Sequence, residues 1–366
     1  MEMMSYDLVV VGGGPAGSCA AICAARAGMR VLLLERGQFP RHKVCGEFVS
    51  SESLALLGTL LSTKHAMILQ EAIRVERARI FLDGRIVHTD VSPPAASIAR
   101  ADLDLALWES AKSLGVGAFP QTTVQRIEGT GPFQVVTTAG SFHTRSVIDA
   151  SGRWSNLSTQ NGGAHEKWIG LKAHFAELSP SESVDLYFFD GGYCGVEPVS
   201  MRGEEASRGR INVAAMVRAD VASSLPDVLA CHSDLLQRSR AWEPLTHPVS
   251  TSPLIFREPS PVLGNKLLVG DAAGFIDPFV GDGISLALRS GALAVECLIP
   301  LHCGEADLAT AADQYRRSYE ERLKPIFRAS SRLRTLLRTP KVIRRPILMA
   351  LENNSTMKGY LLRKTR

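Results

Sequence analysis

A glycine-rich turn between two aliphatic runs constrains this chain of 366 residues more than any other feature. The segment YDLVVVGGGPAGSCAAICAARAGMRVLLLER predicts a buried strand, a tight turn, a helix and a second strand. Its G-x-G-x-x-G pattern consists of Gly12, Gly14 and Gly17. Gly12 permits the tight turn, Gly14 lets the backbone approach a pyrophosphate, and Gly17 lets the helix pack closely on the sheet. The pattern in this context indicates a dinucleotide-binding α/β domain.

The end of the second strand narrows the ligand to an adenine dinucleotide. Glu35 closes the strand that starts at Val31, and a carboxylate there can accept both hydroxyls of an adenosine ribose. The N-terminus of the intervening helix offers free N–H groups and a positive dipole end to the phosphates. We therefore expect cofactor contacts from Pro15, Ala16, Glu35 and Arg36.

A distant segment indicates which dinucleotide is bound. The stretch NKLLVGDAAGFIDPFVGDGISLALRSGALAVECL starts with an aliphatic strand and opens a helix shortly after Gly281. It resembles the second FAD-binding fingerprint of flavoprotein hydroxylases. The resemblance implies that Asp271 bonds the ribitol chain of FAD and that Pro278 lies beside the isoalloxazine ring. It also implies that the backbone of Gly283 and Ile284 faces flavin N1 and O2, where a helix N-terminus favours the negative charge of reduced flavin.

Two further segments extend the resemblance. In SIARADLDLALWESAKSLG, Arg100 stands just before an amphipathic helix, and relatives place an arginine there over the FAD. The segment TTVQRIE resembles the strand whose Val124 would contact the adenine through its backbone. On these residues the chain is similar to the para-hydroxybenzoate-hydroxylase-like flavoprotein superfamily, and its nearest branch resembles the geranylgeranyl reductase family. The resemblance implies an FAD-dependent enzyme of α/β class, with a Rossmann-like (GR2-type) FAD domain, an inserted antiparallel β-sheet substrate domain and C-terminal helices.

The run FPRHKVCGEF resembles the PR-x-K-x-C-G motif of that branch through Pro40, Arg41, Lys43, Cys45 and Gly46. The family places this run across the flavin, where its cations can offset the charge of FAD phosphate and reduced flavin and Gly46 lets the backbone come close to the ring. Cys45 is the candidate catalytic residue, because thiols beside cations are reactive; the alternative is a small packing residue. The tryptophan-containing signature of the related halogenases is not visible, which argues against halogenation.

One departure from the family pattern concerns the electron donor. In SVIDASGRWSN, which resembles the Asp-Gly motif that serves FAD and NADPH in aromatic hydroxylases, Ser151 stands where the aspartate would be, followed by Gly152. The sequence contains no second dinucleotide fingerprint for a separate NADPH domain. Electrons can therefore come from transiently bound NAD(P)H, from a partner protein or from the substrate itself.

Residues 165 to 260 change in character. They read as a β meander with glycine turns, and in this superfamily such a sheet roofs the substrate over the flavin. In GGYCGVEPV, Tyr193 keeps a family position, whereas Gly195 and Glu197 stand where aromatics are expected, so a pocket for a long prenyl chain is less secure. Glu197 is either an acid or base in the cavity or a solvent-facing strand residue. We expect no metal site, because no metal-ligand spacing connects His165, His174, His232 and His247.

The predicted domains follow these segments. Residues 1–160 and 261–300 are the two parts of the FAD-binding domain, residues 161–260 with earlier insert strands near 70–100 are the substrate domain, and residues 301–366 are a basic helical region. Residues 316–366 carry 15 Lys and Arg against 3 Asp and Glu, although the net charge of the chain is only +4. This region is either a solvated helical face or a contact for an acidic electron-donor, carrier or target protein or for a membrane surface; we expect no nucleic-acid partner.

Seven cysteines without a C-x-x-C pair, no signal peptide and no transmembrane helix favour a cytoplasmic location. Within the FAD-enzyme prediction, two chemistries compete. A reductase or dehydrogenase passes hydride between flavin N5 and a carbon–carbon bond of a hydrophobic or carrier-bound substrate, and we favour this reading. A monooxygenase forms a C4a-hydroperoxide from reduced flavin and O2. A flavoprotein that acts on another protein, or that binds flavin without turnover, is the alternative of a different class.

Overall fold

The computed structural model describes residues 5–153, 167–200, 209–278 and 281–338, which form two large sheets and their covering helices. The strands are β1 (Ser5–Val11), β2 (Val31–Leu34), β3 (Phe48–Val49), β4 (Ile73–Leu82), β5 (Arg85–Ser97), β6 (Gly117–Phe119), β7 (Val124–Glu128), β8 (Phe133–Thr137), β9 (Gly140–Asp149), β10 (Trp168–Ala176), β11 (Ser183–Phe189), β12 (Gly192–Pro198), β13 (Arg210–Arg218), β14 (Glu243–Pro244), β15 (Val249–Leu254), β16 (Val262–Leu263) and β17 (Lys266–Leu268). The helices are α1 (Pro15–Arg26), α2 (Ser51–Leu60), α3 (Met67–Gln70), α4 (Arg100–Ser113), α5 (Leu225–Ala230), α6 (Ser233–Ser239), α7 (Gly283–His302), α8 (Leu308–Arg322) and α9 (Lys324–Arg338), with a 3-10 turn at Gly270–Ala272.

The first sheet is the Rossmann-like layer that the glycine motif predicts. Its order is β16-β17-β9-β1-β2-β6, and β17, β9, β1, β2 and β6 run parallel, while β8 joins β9 and β7. Strands of such a sheet are covered on both faces, which explains the unbroken aliphatic runs in β1 and β2. The fold class predicted from the sequence is confirmed.

Close packing around α1 requires glycine at two positions. A Cβ at Gly17 would lie 1.8 Å from the carbonyl oxygen of Gly12, and one at Gly291 would lie 2.4 Å from that of Ala16. Helix α7 is long and apolar enough to cross a membrane by length and composition. Much of it is buried inside the protein, however, where it packs along α1 and α8. Within the residues described, it is the one helix with these properties.

The second sheet has the order β14-β10-β13-β12-β11-β4-β5-β3, with β15 on the free side of β10. Its pairings are antiparallel except between β4 and β11. Strands β4 and β5 thus join the same sheet as β10–β15 although more than sixty residues separate them along the chain. Because side chains alternate along a strand, residues 184, 186 and 188 of β11 face the first sheet, and residues 185 and 187 face away from it.

The C-terminal basic region is helical as far as the structure describes it. Helix α8 packs on α7, and Tyr315 and Tyr319 are buried there. Helix α9 follows directly and leads up to residue 338. The rest of the predicted basic region, residues 339–366, lies outside the described residues, as does His165.

Candidate active site

A cavity of about 1110 Å³ separates the two sheets. Every cofactor contact predicted from the sequence lines it except Gly17, which is used in helix packing instead. The predicted substrate residues Tyr193 and Glu197 also line it, from the second sheet. The fold therefore brings together residues from positions 12 to 284 that the sequence could only propose one motif at a time.

The nucleotide end of the cavity is built around Glu35. Its carboxylate accepts the backbone N–H groups of Gly13 and Gly37, both at 2.8 Å, and is paired with both terminal nitrogens of Arg41. Burial alone would raise the pKa of Glu35, but Arg41 and the two backbone donors outweigh burial and lower it. Glu35 is thus an ionised acceptor, and its four acceptor positions are engaged. A ribose that bonds Glu35 has to share or replace the Arg41 contact.

Arg41 lies at the Glu35 end of the cavity. Its guanidinium pairs with Glu35 and lies 4.8 Å over the ring of Phe39. Arg41 therefore belongs to the adenosine end of the cavity. Its predicted role, to offset the charge of FAD phosphate and reduced flavin, stays a prediction. Lys43 also lines the cavity. Burial, together with the nearby charge of Arg41, lowers the pKa of Lys43 to about 8. Lys43 is consequently a cation whose charge is lost in mildly alkaline solution.

Another part of the cavity wall is formed by the N-terminus of α7, where Gly281, Gly283 and Ile284 face the cavity. Asp271 lies next to it and pairs with Arg153 at 3.4 Å, and Arg153 in turn lies 4.3 Å over the ring of Phe275. A helix N-terminus stabilises negative charge, as expected for the pyrimidine side of a reduced flavin. Pro278 completes this wall.

Ser151 is tied to a neighbouring carboxylate. Its backbone N–H donates to Oδ1 of Asp149 at 3.0 Å, and its hydroxyl donates to the same oxygen. Burial raises the pKa of Asp149, although the two Ser151 bonds oppose this. The carboxylate that the hydroxylase motif places at residue 151 is thus found two residues earlier, at the end of β9, and Ser151 itself lines the cavity with Gly152.

Two donors converge on the sulfur of Cys45. The backbone N–H of Glu47 donates to Sγ at 3.3 Å, and the guanidinium of Arg100 also contacts the thiol. Asp104 holds Arg100 with two bonds of 2.7 and 2.8 Å, and its charge raises the pKa of Arg100 in spite of burial. The thiol is half-buried and lines the cavity, so it can reach a bound molecule. Its catalytic role stays a prediction.

Sequence reasoning missed a buried ionic group behind Cys45. The carboxylate of Glu47 is fully buried, pairs with Lys172, lies 2.7 Å from Nε2 of His174 and accepts the backbone N–H of Arg100 at 2.7 Å. Burial would raise the pKa of Glu47, but Lys172 and His174 lower it to about 2. The signal in the sequence was the alternation GLKAHF, which places Lys172 and His174 on the same face of β10.

Glu197 belongs to a row of polar residues across three strands. His174 of β10 is the register partner of Asn212 in β13, and Asn212 is the partner of Glu197 in β12. Nδ2 of Asn212 donates to the carbonyl oxygens of Cys45 and Gly46 at 3.1 and 2.8 Å. Glu197 is 4% exposed and faces the cavity, which excludes the solvent-facing alternative. Glu47, Lys172, His174, Glu197 and Asn212 together form the cavity cluster.

The residues present fit FAD. A Cβ at Gly14 would point into open space, so the backbone there is accessible to a pyrophosphate, and the N-terminus of α1 begins directly after it. The N-termini of α1 and α7 both open into this cavity, so one can face the charged pyrophosphate and the other the charged ring of a dinucleotide. No group of three or more His, Cys, Asp or Glu that could hold a metal is present among the described residues.

Comparisons with known proteins agree with this site. The family model for FAD-dependent oxidoreductases matches residues 7–153. The menaquinone reductase of Mycobacterium tuberculosis is 28% identical and aligns with 93% of this chain and 86% of its own length. The digeranylgeranylglycerophospholipid reductase 2 of Methanopyrus kandleri is 26% identical, with 89% and 85% covered. The solved structure of the flavin-dependent brominase Bmp2 superposes with a TM-score of 0.82 at 20% identity, covering 99% of this chain and 93% of the brominase.

Fold and site thus define a flavoprotein oxidoreductase. The chain is an FAD-dependent oxidoreductase, and its motifs and relatives are similar to those of the para-hydroxybenzoate-hydroxylase-like superfamily. It is an enzyme, and FAD is its cofactor. The likeness to the brominase concerns the fold.

Proposed function

We propose that this enzyme reduces a carbon–carbon double bond of a hydrophobic, prenylated substrate. The observation that carries this proposal is the apolar wall that the second sheet adds to the FAD cavity. Its side chains come from β4, β5, β11 and β13 and include Ala78, Ile80, Leu82, Val87, Val91, Val184, Leu186, Phe188 and Met216. Such a wall binds a long hydrocarbon by burial of apolar surface, roughly 25 cal/mol per Å².

The residues around the cavity divide the work of holding the cofactor. The N-terminus of α1 would bind the pyrophosphate, Glu35 the adenosine ribose, Asp271 the ribitol chain, and the N-terminus of α7 the pyrimidine side of the ring. Bound FAD supplies the hydride chemistry. Cys45 lies where it can contact the reacting part of the substrate, and the second sheet excludes water from that end.

Two relatives support the reductive reading, because their names are menaquinone reductase and digeranylgeranylglycerophospholipid reductase. Oxygen transfer is the second candidate. It is supported by a relative named tryptophan 2-halogenase, which is 25% identical, because halogenation also uses O2. Electron delivery by transient NAD(P)H or by a donor protein at the basic C-terminal region, residues 301–366, is a further proposal, as is a cytoplasmic location. Seven cysteines without a disulfide fit a reducing compartment.

The test is anaerobic reoxidation of the reduced holoenzyme. The FAD-loaded protein is photoreduced without O2 and mixed with a polyprenyl quinone or a geranylgeranyl lipid, and the return of oxidised-flavin absorbance is followed. We expect reoxidation with a product that has gained two hydrogen atoms. Reoxidation by O2 alone, with oxygen incorporated into the product, would establish the monooxygenase instead.

A matched pair of variants tests the apolar wall. Leu186→Trp should raise KM for the long-chain substrate about tenfold or more and leave a chain-truncated analogue unaffected, because the bulk occupies the wall and not the flavin end. Leu178→Trp is the control, because Leu178 is 97% exposed. If Leu186→Trp has the same KM for the long-chain substrate and for the truncated analogue, the hydrocarbon does not bind at this wall.

A further inference from the structure

Two buried side chains beside the apolar wall, Glu197 and Asn212, have oxygen atoms without a hydrogen-bond partner. Both carboxylate oxygens of Glu197 lack a hydrogen-bond partner, as does Oδ1 of its cross-strand neighbour Asn212. The two residues are 4% and 1% exposed. A buried polar atom without a partner is destabilising, so the fold maintains this pair at a cost to its own stability. The cost is understandable if the pair acts on a molecule in the cavity.

The surroundings favour the neutral form of Glu197. Burial disfavours its carboxylate, and the negative charge of Glu47 adds to this, so the pKa of Glu197 is raised well above its ordinary value. The other groups that face it are Asn212 from β13 and Lys172 from β10, and both act in the opposite direction with smaller effect. Glu47 itself is held ionised by Lys172 and His174.

The site therefore contains two carboxyl groups, Glu47 and Glu197, whose pKa values are shifted in opposite directions by their surroundings. Glu47 accepts from three hydrogen-bond donors, which favour its ionised form, whereas both oxygens of Glu197 lack a partner and its neutral form is favoured. Pairs of titratable groups separated in this way are the acids and bases of enzymes. Glu197 faces the cavity next to the Cys45–Gly46 backbone, to which Asn212 is bonded.

We infer that Glu197 is the proton donor of the reduction and that Glu47 is a positioning residue that keeps it protonated. The inference rests on the proposed function for the identity of the acceptor. A double bond that receives a hydride at one carbon needs a proton at the other. Glu197 transfers its proton to that carbon, is left as a carboxylate, and regains a proton from water after the product leaves.

Infrared spectroscopy of the resting holoenzyme tests the first half directly. At neutral pH the wild type should show the carbonyl band of a protonated carboxylic acid that disappears in Glu197→Gln and moves in Glu197→Asp. Glu182→Gln is the matched control, because Glu182 is 84% exposed, and it should leave the band unchanged. Glu47→Gln should weaken the band, because the fixed negative charge beside Glu197 is removed. Absence of the band in the wild type would overturn the inference whatever the substrate is.

Single-turnover reoxidation tests the second half. Glu197→Gln should slow reoxidation of the photoreduced enzyme by the prenylated substrate about 10²–10⁴-fold, the usual contribution of a general acid, and Glu197→Asp should restore part of the rate. FAD content and the rate of photoreduction should be unchanged. A wild-type rate in Glu197→Gln would overturn the donor role and point to Cys45. If the wild type itself does not react with any prenylated acceptor, the proposed function fails, and the donor role fails with it.

Discussion

Two buried ionic clusters lie on opposite faces of the second sheet, and they are built for different purposes. On the face away from the cavity, Asp185 accepts from Arg79 and Arg238, and Glu177 accepts from Arg238. This arginine cluster is Arg79, Glu177, Asp185 and Arg238. Further bonds to it come from Ser183, Tyr187 and Trp242. None of the buried polar atoms of its four side chains lacks a partner.

The cavity cluster has similar charges but remains incomplete. Glu47 is saturated, yet His174 Nδ1, Asn212 Oδ1 and both oxygens of Glu197 are buried without partners. A completed buried network stabilises and fixes a structure, whereas an incomplete one costs free energy that only a functional advantage offsets. The two faces of the second sheet thus differ in whether their buried polar atoms have hydrogen-bond partners: those of the arginine cluster have them, and several of the cavity cluster do not.

The largest expected effect is on the arginine cluster. Asp185→Ala should lower the free energy of unfolding by about 3–5 kcal/mol, because Arg79 and Arg238 are then left without their shared carboxylate. Urea titration followed by far-UV circular dichroism measures this. Glu182→Ala is the control: it removes an exposed partner of Arg77 and should cost less than about 1 kcal/mol. Similar losses in the two variants would contradict the structural assignment of the arginine cluster.

Glu47→Gln should cost about 3 kcal/mol at neutral pH, because it removes the ion pair with the fully buried Lys172. The pH dependence adds a signature. The folded-state pKa of Glu47 is about 2 and lies below its ordinary value of 4.5, so its stabilisation is present above pH 4.5 and is lost as the pH falls towards 2. The gap between wild type and variant should therefore narrow over that window. A constant difference in the free energy of unfolding between wild type and Glu47→Gln from pH 5 to pH 2.5 would contradict the lowered pKa of Glu47.

Arg79→Gln should cost about 1–2 kcal/mol, less than Asp185→Ala. Its side chain is 31% exposed, and Asp185 keeps its bonds to Arg238 and Ser183 when Arg79 is lost. Thermal unfolding of this variant beside Asp185→Ala gives the comparison. A larger loss in Arg79→Gln would mean that Arg238 alone does not satisfy the carboxylate.

Glu197→Gln should have the smallest effect on stability in acid, within about 1 kcal/mol below pH 4.5, because the neutral acid and the amide are of similar shape. The sign of the pH effect is opposite to that of Glu47. The unfolded chain releases the Glu197 proton near pH 4.5 while the folded chain retains it, so the wild type loses stability as the pH rises above that value. The variant should therefore become the more stable protein between pH 4.5 and 7. Parallel stability curves would show that Glu197 is ionised in the folded state.

The sequence alone determined the first sheet and the outline of the cofactor site. Gly12 and Gly17 are needed for steric reasons that hold in any chain with this turn, Gly14 leaves the backbone open to a ligand, and Glu35 follows from its place at the end of β2. Local periodicity was sufficient because each of these residues acts within one strand-turn-helix unit. The same reasoning could not place Arg41, whose bond to Glu35 depends on how the loop after β2 folds back.

Only the tertiary structure decided what the second sheet does. Lys172, Asn212 and Glu197 are separated by up to 40 residues, and nothing local shows that β10, β13 and β12 align them beside Glu47. Burial and neighbouring charge, which set the protonation of Glu47 and Glu197 in opposite directions, are properties of that alignment and not of any segment. Residue identity fixed which groups can titrate, and the fold fixed the direction in which the pKa of each is shifted.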